Sequence, residues 1–186
     1  MQRRQLSHII AALPLLAAAP LLSPREAKAA SRAEIDASVA NAVTRLRGMP
    51  NAAPLFPAAK AILVFPQIIS GGFIVGGQYG EGALIRNGAI AGHYNIAGIS
   101  FGLLAGAQSS GLAMFFMTDD SLHALMNASG WEIGTGPTVV ALDRGLQANV
   151  TATTLREPVY AITFGQEGLM AAVALNGTKI SRINPA

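Results

Sequence analysis

Between Phe65 and Gly82 the chain reads FPQIISGGFIVGGQYGEG, a stretch with no charge before Glu81. Twelve of the 20 glycines fall between Gly71 and Gly111. Glycine in such density has three uses, each with its own fold. It can cradle a phosphate ahead of a helix, line the contact face of membrane helices, or let strands bend and approach closely. A phosphate loop is excluded by pattern. The stretch has neither G-x-G-x-x-G nor a terminal Gly-Lys-Ser/Thr, and Gly134-Thr135-Gly136 ends on Pro137, which has no N–H to donate. Gly98, Gly102 and Gly106 do repeat every four residues, and Ile96 to Met117 carries no charge. His93, Asn95 and Gln108-Ser109-Ser110 interrupt that apolar character, so it fits strands better than a membrane helix. Glycines in a small, sharply curved sheet are the remaining use, and the sequence is read that way.

The neighbouring segments agree. Ala61–Phe65 is a short apolar run that Pro66 is expected to stop. Phe73–Gln78, Gly82–Arg86, Ala89–Tyr94, Leu112–Met117, Trp131–Ile133, Thr138–Leu142, Val150–Thr154, Val159–Phe164, Leu169–Leu175 and Thr178–Ile183 also read as strands. Asn87-Gly88 and Asn176-Gly177 are the dipeptides of tight hairpins, because both residues tolerate positive φ. Ser31 and Glu34 form an S-x-x-E box ahead of Ile35, Val39, Val43 and Leu46, which share one helical face. Gly48 and Pro50 end that helix. Thr118 or Asp119 opens a short second helix that turns Leu122, Leu125 and Met126 to one side. The expected fold is α+β and β-rich. It is a single domain of many short antiparallel strands forming a strongly curved sheet, sandwich or barrel, with an N-terminal helix and one or two short helices.

The first 29 residues have the tripartite form of an export signal. Arg3 and Arg4 are followed by an apolar stretch from Ile9 to Leu22, then Ala27-Lys28-Ala29 as an A-x-A cleavage site. Paired arginines before Gln5-Leu6, and basic residues at Arg25 and Lys28, fit twin-arginine translocation. The expected organisation is a cleaved signal over 1–29, an N-terminal helix and connector over 30–52, and the main domain over 53–186, in the periplasm. The signal contains four basic residues and one acidic one, so the mature chain carries nine of each. An uncharged balance argues against a nucleic-acid partner, which a basic patch would recognise. The absence of cysteine removes disulfides, thiolate metal sites and a thiol nucleophile.

Catalytic patterns are thin. His93 and His123 are the histidines of the mature chain, and Asp119 and Asp120 are adjacent at a helix start, where carboxylates cap. Ser109, Ser110 and His93 could make a nucleophile and base, but no G-x-S-x-G elbow accompanies them. No metal spacing or cofactor motif is present, so no catalytic residue, metal or cofactor is assigned.

Ordered blocks carry a family resemblance. Gly71-Gly72-Phe73 with Gly76-Gly77-Gln78-Tyr79-Gly80-Glu81-Gly82, then Ser100-Phe101-Gly102 with Gly106-Ala107-Gln108, then Phe116-Met117-Thr118-Asp119, Gly130-Trp131-Glu132, Gly168-Leu169-Met170 and Leu175 to Lys179 resemble the SYLF domain family in sequence and order. The resemblance spans roughly Ala53 to Ile183. It implies a lipid-binding module rather than an enzyme, with phospholipids or a membrane surface as partner. Some relatives bind actin, an improbable partner for an exported chain, whereas an envelope protein is the alternative partner. A hydrolase of small apolar substrates is a further alternative. In this chain Gln67 and Ser70 stand where basic residues are common in the family, and Leu104 and His93 also depart from its pattern. The cations left as candidates for a lipid headgroup are Arg45, Arg47, Lys60, Arg86 and Lys179.

Overall fold

The computed structural model describes residues 30–72, 75–101, 108–142, 155–165 and 177–186. Among these, α1 (Arg32–Arg47) is followed by a 3₁₀ turn (Ala53–Leu55) and by β1 (Ala61–Gly72), β2 (Val75–Arg86), β3 (Ala89–Phe101) and β4 (Gln108–Phe116). Then come α2 (Asp119–Asn127), β5 (Trp131–Glu132), β6 (Val139–Ala141), β7 (Val159–Phe164) and β8 (Thr178–Ile183). The eight described strands form one sheet in the order β5-β8-β3-β2-β1-β4-β7-β6. Seven pairings would be antiparallel in a simple meander. Here β6 and β7 run parallel, Val139 opposite Val159, which the expectation of purely antiparallel strands did not include. The expected signal over 1–29, the strands at Val150–Thr154 and Leu169–Leu175, and Phe73, Gly102, Gly106 and Asn176 lie outside the described residues.

Helix α1 forms where its caps predict. The Ser31 hydroxyl accepts from the Glu34 N–H, and the Glu34 carboxylate accepts from the Ser31 N–H at 2.7 Å. Its buried stripe of Ile35, Val39, Ala42 and Leu46 lies on one face of the sheet, against Val64, Ala83, Ala113, Phe115 and Ile162. The opposite face buries Leu63, Phe65, Leu84, Tyr94, Ile96, Met114 and Phe116 with Leu122 and Leu125 of α2. Strand β1 is central and covered on both faces, so its Ala61–Phe65 run is continuously apolar rather than alternating.

The sheet curls into a half-barrel. Trp131, on edge strand β5, stands with its ring 5.9 Å from that of Phe116 on β4. Those strands are five places apart, about 24 Å in a flat sheet at ordinary strand spacing. Only curvature, with Trp131 reaching inward, brings the rings together. The curvature has a local cause. Pro66 does not stop β1, as the sequence suggested, because it lies in a bulge. From Val64 to Gln67 the strand spends three residues against two on β2, Ala83 to Glu81. The same slip occurs against β4 between Phe65 and Ile68. A bulge is where a central strand tolerates proline, since the unpaired residue needs no donor. Two β2 glycines make room for it. A Cβ at Gly80 would stand 2.7 Å from the Gln67 carbonyl oxygen, and one at Gly82 would overlap the Val64 carbonyl oxygen. These glycines therefore serve close backbone approach. The first four strands are also longer than the short runs read from sequence, because the bulge lets β1 continue to Gly72.

Candidate functional site

Residues directly opposite in neighbouring strands point to the same face. This places the side chains beyond the bulge without ambiguity. Ile68 and Ile96 turn into the core. The alternate positions form rows on the face that α1 covers. Gln67, Glu81, Asn95 and Ser181 make one row. Ser109, Ile69, Tyr79, Ala97 and Lys179 make the next, and Gly71, Gly77 and Ile99 the one after. Helix α1 stops at the first of these rows. The Ala30 N–H donates to Glu81 Oε2 at 3.2 Å, and Glu81 Oε1 accepts from the Tyr79 hydroxyl at 2.7 Å. Past that border the sheet projects beyond the helix. Ile69 is 56%, Tyr79 48% and Ile99 59% exposed, three large apolar side chains gathered on one face. Burial of its ring, and then its bond to the Glu81 carboxylate, hold the Tyr79 phenol above the ordinary tyrosine value.

Charge is nearly absent here. From Ala61 to Thr118 the sequence has two charged residues, Glu81 and Arg86. The apolar face lies at the end where β1 joins β2 and β3 joins β4, while Arg86 lies at the opposite end beside the Asn87-Gly88 turn. Asn87 and Gly88 take the positive φ values, 53° and 78°, expected of that hairpin.

The candidate cations are not gathered together. Arg45 and Arg47 occupy the last turn of α1, and the Arg47 guanidinium lies 4.5 Å over the Phe56 ring. Lys60 Nζ is 3.8 Å from Asp119 Oδ2, with both side chains more than half exposed. Arg86 and Lys60 belong to the end of the sheet away from the exposed apolar row. All five are exposed, and Lys179 differs from the others by its place in the row of Tyr79 and Ile69, where it stands between Ala97 and Glu132. Its aliphatic stem passes against Gly130, where a Cβ would collide with it. Of the glycine-motif positions, Gly80 and Gly82 face backbone, whereas Gly71 and Gly77 face open space. Gly76 lies opposite Gly72 in the β1–β2 ladder. The sequence shows Ile69, Tyr79 and Ile99 as large apolar residues in a glycine-rich run. It could not show that α1 leaves Ile69, Tyr79 and Ile99 uncovered, because that depends on where the helix crosses the sheet.

No catalytic arrangement emerges among the described residues. Buried His93 bonds Asp36 of α1 at 2.7 Å, tying helix to sheet, while the Ser109 hydroxyl accepts from Gln67 at 3.1 Å. Thr118 caps α2, its hydroxyl accepting from the Ser121 N–H, with Asp119 and Asp120 in the first turn. His123 is exposed on α2. No group of three metal-ligating side chains occurs among the described residues. No described helix is long and apolar enough to cross a membrane. Trp131 Nε1 is buried without a hydrogen-bond partner.

Residues 97–185 match the family model described as "Ysc84: Las17-binding protein actin regulator". The match begins in β3 and ends past β8, so the glycine block Gly71–Gly82 precedes it. No curated protein matches the chain. The match falls on the family that the ordered blocks resemble, and the segment 97–185 belongs to the Ysc84 (SYLF) family.

Proposed function

We propose that this protein is a non-enzymatic lipid-binding module, exported to the periplasm after loss of residues 1–29. It associates reversibly with phospholipid membranes through the projecting end of its sheet. The observation that carries this function is the exposed patch of Ile69, Tyr79 and Ile99, on strands β1 to β3 whose charged residues are Glu81 and Arg86 alone. Fully burying an aliphatic side chain is worth about 1.5–3 kcal/mol. Each half-exposed side chain here therefore gains about 1 kcal/mol on entering the interface, or about 3 kcal/mol for the three. Tyrosine suits the headgroup boundary, because its ring is apolar and its hydroxyl polar. Lys179, at the side of the patch, adds at most about 1 kcal/mol on an anionic surface, because Glu132 lies opposite it. Such totals give reversible docking rather than permanent anchoring. The SYLF resemblance supports a lipid partner, and export removes the chain from actin.

Co-sedimentation of residues 30–186 with vesicles tests the proposal. Binding to neutral vesicles that persists in high salt is expected, with a gain of several-fold on acidic vesicles that salt removes. Binding that is confined to acidic vesicles and abolished by salt would assign the function to the scattered cations instead. Failure to bind either vesicle would turn the search to an envelope protein as the partner.

A further inference from the structure

The junction between Ala30 and Glu81 has a chemical consequence tied to processing. Ala30 is the first residue after the A-x-A motif Ala27-Lys28-Ala29. Its nitrogen already donates to Glu81 Oε2 at 3.2 Å, in a part-buried setting. The other Glu81 oxygen is held by Tyr79 at 2.7 Å, so the carboxylate is oriented from both sides. Ser31, the next residue, caps α1, and Arg32 N–H donates to the Ala186 carbonyl at 3.0 Å. The start of the mature chain is thus drawn to β2, and to the residues following β8, at the border of the exposed apolar face.

We propose that cleavage after Ala29 completes this junction, because the α-ammonium it releases at Ala30 pairs with the Glu81 carboxylate and locks the start of α1 onto β2. The inference rests on the export signal described above. In the step itself, a leader peptidase hydrolyses the Ala29–Ala30 amide. The hydroxyl of water goes to the Ala29 carbonyl carbon, and the nitrogen of Ala30 takes up protons to become an ammonium. A neutral amide donor is replaced by a cation on the same acceptor, and charge-assisted bonds of this kind are roughly twice as strong as neutral ones. The charge needs that acceptor. A cation just ahead of a helix opposes the helix dipole, and Glu34 in the first turn is already engaged with Ser31. Glu81 is the carboxylate already bonded to this nitrogen, so it is the one placed to compensate a charged terminus. The titratable and charged groups around the new amine are Glu81 and Tyr79 from β2, Glu34 and Arg32 from α1, and the carboxyl group of Ala186, whose oxygen accepts from the Arg32 N–H.

Four chains test the proposal: residues 30–186 with a free amine, the same chain Nα-acetylated, and each of these carrying E81Q. Acetylation keeps the N–H donor and removes the charge, imitating the uncleaved amide. The free-amine chain is expected to need more denaturant to unfold than the acetylated chain, and E81Q is expected to erase that difference. NMR titration of the Ala30 methyl should show an amine with about tenfold higher proton affinity in the wild-type chain than in E81Q. Equal midpoints for free and acetylated chains, or equal proton affinity with and without Glu81, would overturn the ion pair. The mass of the exported protein separates the two premises. A terminus at Ala30 supports the maturation step, and a terminus elsewhere overturns it whatever the titration shows.

Discussion

Gly82→Ala and Gly77→Ala add the same methyl group to the same strand, and the structure predicts opposite signs for them. At Gly82 the new Cβ would overlap the Val64 carbonyl oxygen and stand 2.8 Å from both the Val64 carbonyl carbon and Phe65 Cδ1. Real Cβ contacts essentially never fall below 3.0 Å. The obstacle is backbone, at the bulge of a central strand that is packed on both faces, so no rotamer change relieves it. Over-packing commonly costs 1–3 kcal/mol, and an immovable wall puts Gly82→Ala near about 3 kcal/mol. At Gly77 nothing lies within 4 Å of the added carbon, and φ is not positive. Alanine there restricts the unfolded chain without strain and should stabilise by about 0.5 kcal/mol. With a urea m-value of about 2 kcal/mol/M, Gly82→Ala lowers the unfolding midpoint by about 1.5 M, and Gly77→Ala raises it by about 0.25 M. Circular dichroism across a urea series reads both. Equal losses for the two variants, or a neutral Gly82→Ala, would refute the claim that Gly82 exists to admit the Pro66 bulge.

Other perturbations test separate contacts. Asp36→Ala leaves buried His93 without its 2.7 Å partner, and should cost about 2 kcal/mol in urea unfolding. Trp131→Phe removes a buried donor that has no partner. The relief should offset much of the lost packing, leaving stability within about 1 kcal/mol of wild type rather than the 3–5 kcal/mol of a cavity. Tyr79 keeps its proton in the folded state above the ordinary tyrosine value of about 10. From that value upward the unfolded chain binds fewer protons than the folded one, so stability falls as pH rises through the window. Tyr79→Phe should make that fall shallower.

Much of the architecture was legible because it rests on local rules. The capping box of Ser31 and Glu34, the Asn87-Gly88 hairpin and the strands Val159–Phe164 and Thr178–Ile183 formed as read. These depend on propensity, capping and turn chemistry within a few residues. The continuation of β1 past Pro66 was not legible, because it requires glycines on another strand to face the bulge. The parallel pairing of β6 with β7 is equally a matter of distant partners. The site shows the same division. Its side chains were visible as an uncharged, glycine-rich run, and the family resemblance was carried by ordered blocks. That Ile69, Tyr79 and Ile99 remain uncovered follows from the path of α1, and no periodicity encodes it.

The most direct test of membrane association is vesicle binding by the double variant I69S/I99S, measured beside the wild-type chain. Both side chains are more than half exposed, so replacement should leave folding stability within about 0.5 kcal/mol. Together they supply about 2 kcal/mol of the proposed apolar contact, and at 1.4 kcal/mol per decade their loss should weaken partitioning to neutral vesicles about 30-fold. Unchanged partitioning in a folded double variant would contradict the account, and would place the lipid contact elsewhere on the protein.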